Sequence, residues 1–432
     1  MRTWISGQIV LPRKLFLLLL LLSIAWYFFF FFQLGGFEKL RTTVFSTIDS
    51  NEYLDYAKWL GGNSTYCNPL RTFFYPLVIL ISGGTHSIYG LWLVQFSIWL
   101  LAILLLVNVA YKFTNIKWLA IVLLLLLLQD LSLVVYTMHG LTEVFVFFLL
   151  ALIVHVLSRW NEPSMQKRKW WIFLFIFSAL ATTKPLYQPF WYLLFAFILF
   201  FNWRKLIAKP VMILPVLLAS SPVIVQKMIT YHEFKTFSTT GVAEYNLKYY
   251  YFRKVRYFEE HSPQDGLNDV FNNMDDRFHD SDKYMIKEVS DNEYRHYLFS
   301  HFSTSAKVFL LDINDAFCAP NPYVNRLHNE RIFKWIGNTN GNILRFLHYL
   351  MSALWLYYLL MYFGERRKFN YLFILISGII LYYTFLSAGI TYWAGDRLTV
   401  SAAGIWIVLY SVLIGSVMKT ARFVEQQKAN EN

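Results

Sequence analysis

Three carboxylates, Asp49, Glu52 and Asp55, fall within seven residues and are interleaved with Tyr53 and Tyr56. A carboxylate within hydrogen-bond reach of a hydroxyl can remove its proton, so Asp49 is a candidate general base for group transfer to an alcohol. The same oxygens suit a divalent cation, Mg or Mn, although three acids on one helix are a modest signal for one. Farther along, Arg71, Lys184 and Arg397 supply positive charge and N–H donors of the kind that hold phosphate oxygens. Glu52, Tyr53, Glu143 and Asp396 complete the candidate substrate-binding set. Each residue also has an ordinary alternative. Thr47 or Asp49 suits a helix N-cap, Lys184 can reach lipid headgroups along its aliphatic stem, and Glu143 can favour a helix start through the dipole. Asp396–Arg397 can be a local ion pair, and His86 and His139 can be satisfied hydrogen-bonding residues.

The elements that must position these residues are apolar. The 432 residues are 56% hydrophobic and 15% charged, with a mean hydropathy of +0.40. A soluble domain could not hide so much apolar surface from water. A helix needs roughly 20 apolar residues to cross about 30 Å of hydrocarbon. The runs 13–34, 88–111, 116–134, 139–158, 170–183, 186–203, 209–229, 344–363, 370–389 and 398–418 are read as spans. Lys184-Pro185 splits the fifth from the sixth, and the alternative is one long helix kinked at the proline. Phe73–Leu80 is too short to cross and reads as a buried or re-entrant piece. The expected fold is an all-α polytopic membrane protein of about ten transmembrane helices. Its parts are an N-terminal membrane module over 1–229, including a loop at 35–87, a largely helical cap over 230–343, and C-terminal membrane helices with a short tail over 344–432.

Charge gives an independent test of that count. With the N-terminus cytoplasmic, the inner segments carry 18 of the 39 basic residues but only four of the 27 acidic ones, in clusters such as Arg13-Lys14, Lys167-Arg168-Lys169 and Arg366-Arg367-Lys368. That is the positive-inside pattern, so the net charge of +12 is a topology signal and gives no support for nucleic-acid binding. The first span runs into Gln33-Leu34-Gly35-Gly36 without a small-x-small cleavage site and is expected to remain as a signal anchor.

This topology puts 35–87, 230–343 and 390–397 on the non-cytoplasmic side. The segment 42–60 is expected to lie along the interface as a helix, with Tyr53, Tyr56 and Ala57 on one face beside Asp49 and Glu52. Within 230–343, helical candidates fall at 280–300 and 325–336. The only two cysteines, Cys67 and Cys318, lie outside, either bridged or as two free thiols. Asn63-Ser64-Thr65 is a formal glycosylation sequon. Asp49, Glu52, Asp130, His139, Glu143, Lys184, Asp396 and Arg397 all map to this side. Charges retained near hydrocarbon are costly, and their convergence favours one polar chamber opening to lipid.

The chain resembles polyprenyl-phosphate-sugar-dependent glycosyltransferases of the GT-C superfamily, in the bacterial branch related to protein O-mannosyltransferases and lipid A aminoarabinose transferases. The matching residues are Asp49-Ser50-Asn51-Glu52-Tyr53 after the first span, Leu70-Arg71-Thr72-Phe73-Phe74-Tyr75-Pro76-Leu77, Gly140-Leu141-Thr142-Glu143, Thr183-Lys184-Pro185 and Gly395-Asp396-Arg397-Leu398. They run in order and on one side from 13 to 418. The chain departs from the family in that Ser50-Asn51 separates two acids that are often adjacent or close. The resemblance implies a multi-pass protein of the bacterial inner membrane, both termini cytoplasmic, with a periplasmic active site and Asp49 in the catalytic position. It implies a polyprenyl-phosphate-linked sugar donor and a glycan or lipid acceptor among membrane lipids. The expected reaction is inverting monosaccharide transfer. A glycan polymerase or ligase using a diphosphate-linked donor is the enzymatic alternative. A transporter or flippase of lipid-linked saccharides is the other, for which paired repeats and broken helices would be expected but are not evident.

Overall fold

The computed structural model describes residues 10–68, 70–128, 131–159, 169–208, 211, 213–237, 246–261 and 291–318, with scattered positions between 349 and 409. The first helix, α1 (Arg13–Gln33), is preceded by Pro12, whose missing N–H costs nothing at a helix start. The backbone N–H groups of Val10 and Leu11 both donate to Asn108 Oδ1, at 2.9 and 3.2 Å, so a polar side chain from a neighbouring helix satisfies donors ahead of the first turn. Gly35 and Gly36 end α1 at φ values of +96° and +55°, and a Cβ on Gly35 would lie 2.7 Å from that of Lys39. Only glycine enters that left-handed region without strain. A short helix, α2 (Gly36–Thr43), follows, and Thr47 then caps α3 (Ile48–Leu60). The interfacial helix expected over 42–60 therefore begins at Ile48, because the Thr47 cap starts a new helix there.

The run too short to cross forms α4 (Phe74–Ile81), which packs on α3. The 27-residue α5 (Ile88–Thr114) ends at Asn115 in the left-handed conformation. The run expected as one span over 116–134 is instead broken into α6 (Lys117–Leu128) and α7 (Leu131–Thr137), which lie at 58° to one another. Bending frees backbone carbonyls that hydrocarbon cannot satisfy. The indole of Trp26 on α1 donates to one of them, Leu128 O, at 2.7 Å. Below it, Tyr27 shares a 2.7 Å hydrogen bond with Thr137 and accepts from Trp92 at 2.9 Å.

The next helices are α8 (Glu143–Ser158), which lies along α5, and α9 (Lys169–Ala181). A single 3₁₀ turn, Pro185–Tyr187, then leads into α10 (Gln188–Ala208), so the pair divided by Lys184-Pro185 is two helices. The last of this series, α11 (Ile213–Phe234), packs on α9. One continuous apolar core joins α1 through α11 and takes in Ala402, Ile405, Trp406, Val408 and Leu409. A second, smaller core gathers Tyr251, Val255, Tyr257, Phe258 and Val308 from a π turn (Asn246–Tyr251), α12 (Phe252–His261) and α14 (Phe302–Cys318), with α13 (Asp291–Ser300) alongside. A buried Lys254–Asp312 pair at 2.8 Å crosses it.

The described residues are mostly helical and contain no strand, and α1, α5 and α11 are long and apolar enough to cross a membrane. The bent α6–α7 pair is a fourth crossing if it is one span, and α8, α9 and α10 are shorter apolar helices. The chain is thus an all-α, membrane-embedded protein. Most of the runs 344–363, 370–389 and 398–418, and of the candidate helix 280–300 before Asp291, lie outside the described residues, as does all of 325–336. Every described position between 349 and 409 is helical.

The turn before α3 is locked to the start of α8. Gly140 N donates to Val44 O at 2.7 Å, and a Cβ on Gly140 would stand 2.7 Å from Phe45 Cε1 and 3.1 Å from that carbonyl. Gly140→Ala is expected to destabilise the protein by about 1–3 kcal/mol through overpacking. Thermal unfolding in detergent measures it, and an unchanged midpoint would show that the contact yields freely.

Candidate functional site

Helix α3 presents the acidic motif because its first turn is closed without help from Asp49. Thr47 Oγ1 accepts from Ser50 N and Ser50 Oγ accepts from Thr47 N, both at 3.1 Å, a reciprocal cap with serine in the position usually taken by glutamate. Asp49 is left to face outward beside Glu52, three residues on. The buried face of the helix is Ser50, Tyr53, Tyr56 and Ala57.

Two carboxylates at that spacing repel, and Arg71 lies between them. Its Nε donates to Glu52 Oε2 at 2.6 Å and its Nη2 to Asp49 Oδ1. The guanidinium carbon lies 4.9 Å from the centre of the Tyr53 ring, a cation–π contact. Burial works against the charge of Arg71, but Tyr53, Asp49 and Glu52 outweigh it and hold the guanidinium above its ordinary pKa. The strand of chain carrying Arg71 is held on both sides. Asn68 Oδ1 accepts from Leu70 N at 2.9 Å, and Phe73 N donates to Gln226 Oε1 of α11 at 2.7 Å.

A second ion pair lies deeper. Lys184 follows the end of α9 in an extended conformation (φ −126°, ψ 105°), the region that a following proline imposes, and its ammonium reaches Glu143 Oε1 at 3.3 Å. Glu143 is the first residue of α8, and its backbone carbonyl accepts from Ser401 Oγ at 3.1 Å. The two ion pairs are connected. The ring of Tyr53 meets that of Tyr75 edge-on at 5.2 Å, and burial, followed by the nearby Glu143 carboxylate, holds the Tyr75 phenol well above the usual pKa. Gln95 donates to the Tyr75 hydroxyl at 2.6 Å and to His139 O at 2.9 Å.

The structure therefore brings Asp49, Glu52, Tyr53, Arg71, Glu143 and Lys184 into one cluster. Asp396, Arg397 and Asp130 lie outside the described residues. Asp55 is directed elsewhere, to Lys58 at 3.0 Å, and among the described residues no three His, Cys, Asp or Glu side chains converge as metal ligands. A divalent cation is only one option for these acids, and Arg71 occupies the space between Asp49 and Glu52. Arg71 and Lys184, expected to hold phosphate directly, are each already matched to carboxylates. Gln95 and Gln226 were not singled out from the sequence. The available signal was an amide side chain within an apolar run, where a polar group needs a partner.

Cys67 carries a free, buried thiol, so the bridge to Cys318 is not formed. It packs with Tyr56 and Phe73, next to Trp59, Leu60 and Ile229. Burial pushes its pKa up to about 11, with Tyr56 lowering it in part and Glu233 adding to it. The Tyr56 phenol is raised by burial and by Cys67, and Gln226 offsets part of the rise.

No protein-family model, curated protein or solved structure matches the chain.

Two outcomes follow from the burial of these groups. In the Glu143–Lys184 pair the carboxylate is 0% exposed and the lysine 15%. Lys184→Met removes an ion-pair partner from a carboxylate that is 0% exposed and is expected to cost about 3–5 kcal/mol. Glu143→Gln is expected to cost less, since the lysine can turn outward. Thermal unfolding of the two variants gives the order, and equal losses would refute the asymmetry. At Cys67 the fold favours the neutral thiol, so its contribution to stability is complete below the unfolded thiol's pKa and is lost as pH rises toward about 11. At about pH 8 roughly one molecule in a thousand carries the thiolate. Maleimide alkylation, followed by mass spectrometry, should be far slower than in the denatured chain and rise about tenfold per pH unit. Equal rates in the folded and denatured chains would contradict the shift.

Proposed function

We propose that the protein is an inverting membrane glycosyltransferase that moves a monosaccharide from a polyprenyl-phosphate donor to an envelope glycan or lipid. The observation that carries this reading is the joining of Asp49 and Arg71 to the Glu143–Lys184 pair through Tyr53 and Tyr75, at the start of α8 and beyond the end of α9. A base for an acceptor hydroxyl and cations for a leaving phosphate are then neighbours at the ends of apolar helices. Asp49 takes the acceptor proton, the acceptor oxygen attacks the anomeric carbon, and the lipid phosphate departs. One base and one hydroxyl nucleophile suffice for inversion. The charge distribution supports about ten spans, cytoplasmic termini and a site facing outward across a bacterial inner membrane.

A second reading has one observation in its favour. The α6–α7 bend is the kind of broken helix used by transporters, here with lipid-linked saccharide as cargo. The ion pairs lie on α3, at the start of α8 and beyond the end of α9, which favours transfer.

The deciding experiment offers defined polyprenyl-phosphate sugars and extracted envelope acceptors to purified wild-type protein and to Asp49→Asn. Wild type is expected to form product with inverted anomeric configuration, and the variant to lose about 10²–10⁴ in rate. Full activity in the variant would remove Asp49 as base. Turnover only with diphosphate-linked donors would favour a polymerase or ligase, and saccharide movement across vesicles without bond cleavage would favour transport.

A further inference from the structure

The cluster contains its own anions. Asp49 and Glu52 occupy the Nε and Nη2 edge of Arg71, the edge that a phosphoryl group would engage through two oxygens. We propose that the phosphoryl group of a lipid phosphate displaces these carboxylates from Arg71, so that Asp49 becomes available as a base only when the anionic substrate is seated. This deepens the transfer reading and rests on it.

Exposure shows which partner moves. The Arg71 side chain is 15% exposed, whereas Asp49 and Glu52 are 29% and 28% exposed. The guanidinium is backed by the Tyr53 ring, and the chain two residues on is tied to Gln226. The cation is therefore fixed, and the carboxylates have water to turn into. While Asp49 Oδ1 accepts from Arg71, that lone pair is not aimed at an acceptor hydroxyl. Exchange corrects this at the moment the donor arrives.

The charges balance through the step. The donor is a phosphodiester with one negative charge. Attack at the anomeric carbon forms the new glycosidic C–O bond and breaks the bond from that carbon to the phosphate oxygen, whose electron pair stays on the phosphate. The proton of the acceptor passes to Asp49. A monoanion and a carboxylate thus become a phosphate dianion and a carboxylic acid. Arg71 attracts the developing dianion more strongly than the diester, so once it has passed from Asp49 to the phosphate it stabilises the transition state over the bound ground state. The neutral Asp49 no longer competes for the guanidinium.

The test reads Asp49 directly. Full-length protein in lipid nanodiscs is treated with a water-soluble carbodiimide and an amine at mildly acidic pH, and modification of Asp49 is quantified by tandem mass spectrometry. Dodecyl phosphate, inorganic phosphate and dodecanol are compared. Dodecyl phosphate is expected to raise Asp49 modification several-fold and saturably, and dodecanol to leave it unchanged. An equal effect of inorganic phosphate would assign the exchange to free phosphate, and its absence to a lipid headgroup. In Arg71→Gln, Asp49 should react rapidly without any phosphate and show no further response. Arg71→Lys, which keeps a cation in place, should retain a weaker response. Unchanged Asp49 modification in wild type at saturating levels of both phosphates would overturn the exchange, as would a full response in Arg71→Gln. Exchange without sugar transfer from any donor would leave this inference standing and remove the transfer reading. Transfer without a phosphate effect on Asp49 would do the reverse.

Discussion

Two acids one helical turn apart, at the end of an apolar bundle, repel each other, and in a medium poorer than water at screening charge that repulsion grows. The chain answers it with one guanidinium. Arg71 comes from a separate segment after α3, and its placement needs Tyr53 beneath it, Asn68 behind it and Gln226 of α11 ahead of it. The packing of α3 on α4 and the approach of α11 to both are therefore conditions for the charge cluster as much as results of apolar burial. Without the cation, the acidic face of α3 would be driven out toward water and its tyrosine face would lose its seat.

The deeper pair follows the same rule with less room for adjustment. Glu143 opens α8, where the helix dipole favours a negative charge. Full burial makes that small benefit insufficient, and Lys184 brings a counter-charge to within 3.3 Å. Pro185 makes this possible, because it holds Lys184 extended and so ends α9 at the level where α8 begins. Tyr75 packs edge-on against Tyr53, within electrostatic reach of Glu143, with its hydroxyl held by Gln95. Two rings, Tyr53 and Tyr75, thus lie between Arg71 and Glu143.

Much of this was legible from residue types. A helix carrying the acids was expected, although from 42 and not from Ile48, Lys184-Pro185 separated two helices, and Phe73–Leu80 was too short to cross. The acids of α3 and the basic residues far along the chain were recognisable because charge is rare in such a sequence. Which acid met which base was not, since ion pairing depends on the tertiary placement of segments that composition leaves free. The break between α6 and α7 was hidden for a different reason. Its flanks are uniformly apolar, and the partner that makes the bend tolerable, the Trp26 indole, belongs to another helix. Gln95 and Gln226 passed unnoticed because an amide carries no charge, although each makes contacts that a charged residue would be too costly to make at such depth.

Helix α11 contains Pro222, one turn before Gln226. Proline has no N–H to give to the carbonyl four residues back, and in this helix Leu218 O receives the Ser221 hydroxyl instead, at 2.8 Å. The helix is thus most easily flexed immediately ahead of the residue that grips Phe73. A small rotation about Pro222 swings Gln226 like the short arm of a lever, and the backbone beside Arg71 is its load. The lipid-facing length of α11, with Leu214, Leu217 and Leu218 exposed, is the long arm. A change in the tilt of that arm is therefore passed, through Gln226 and Phe73, to the backbone that carries Arg71.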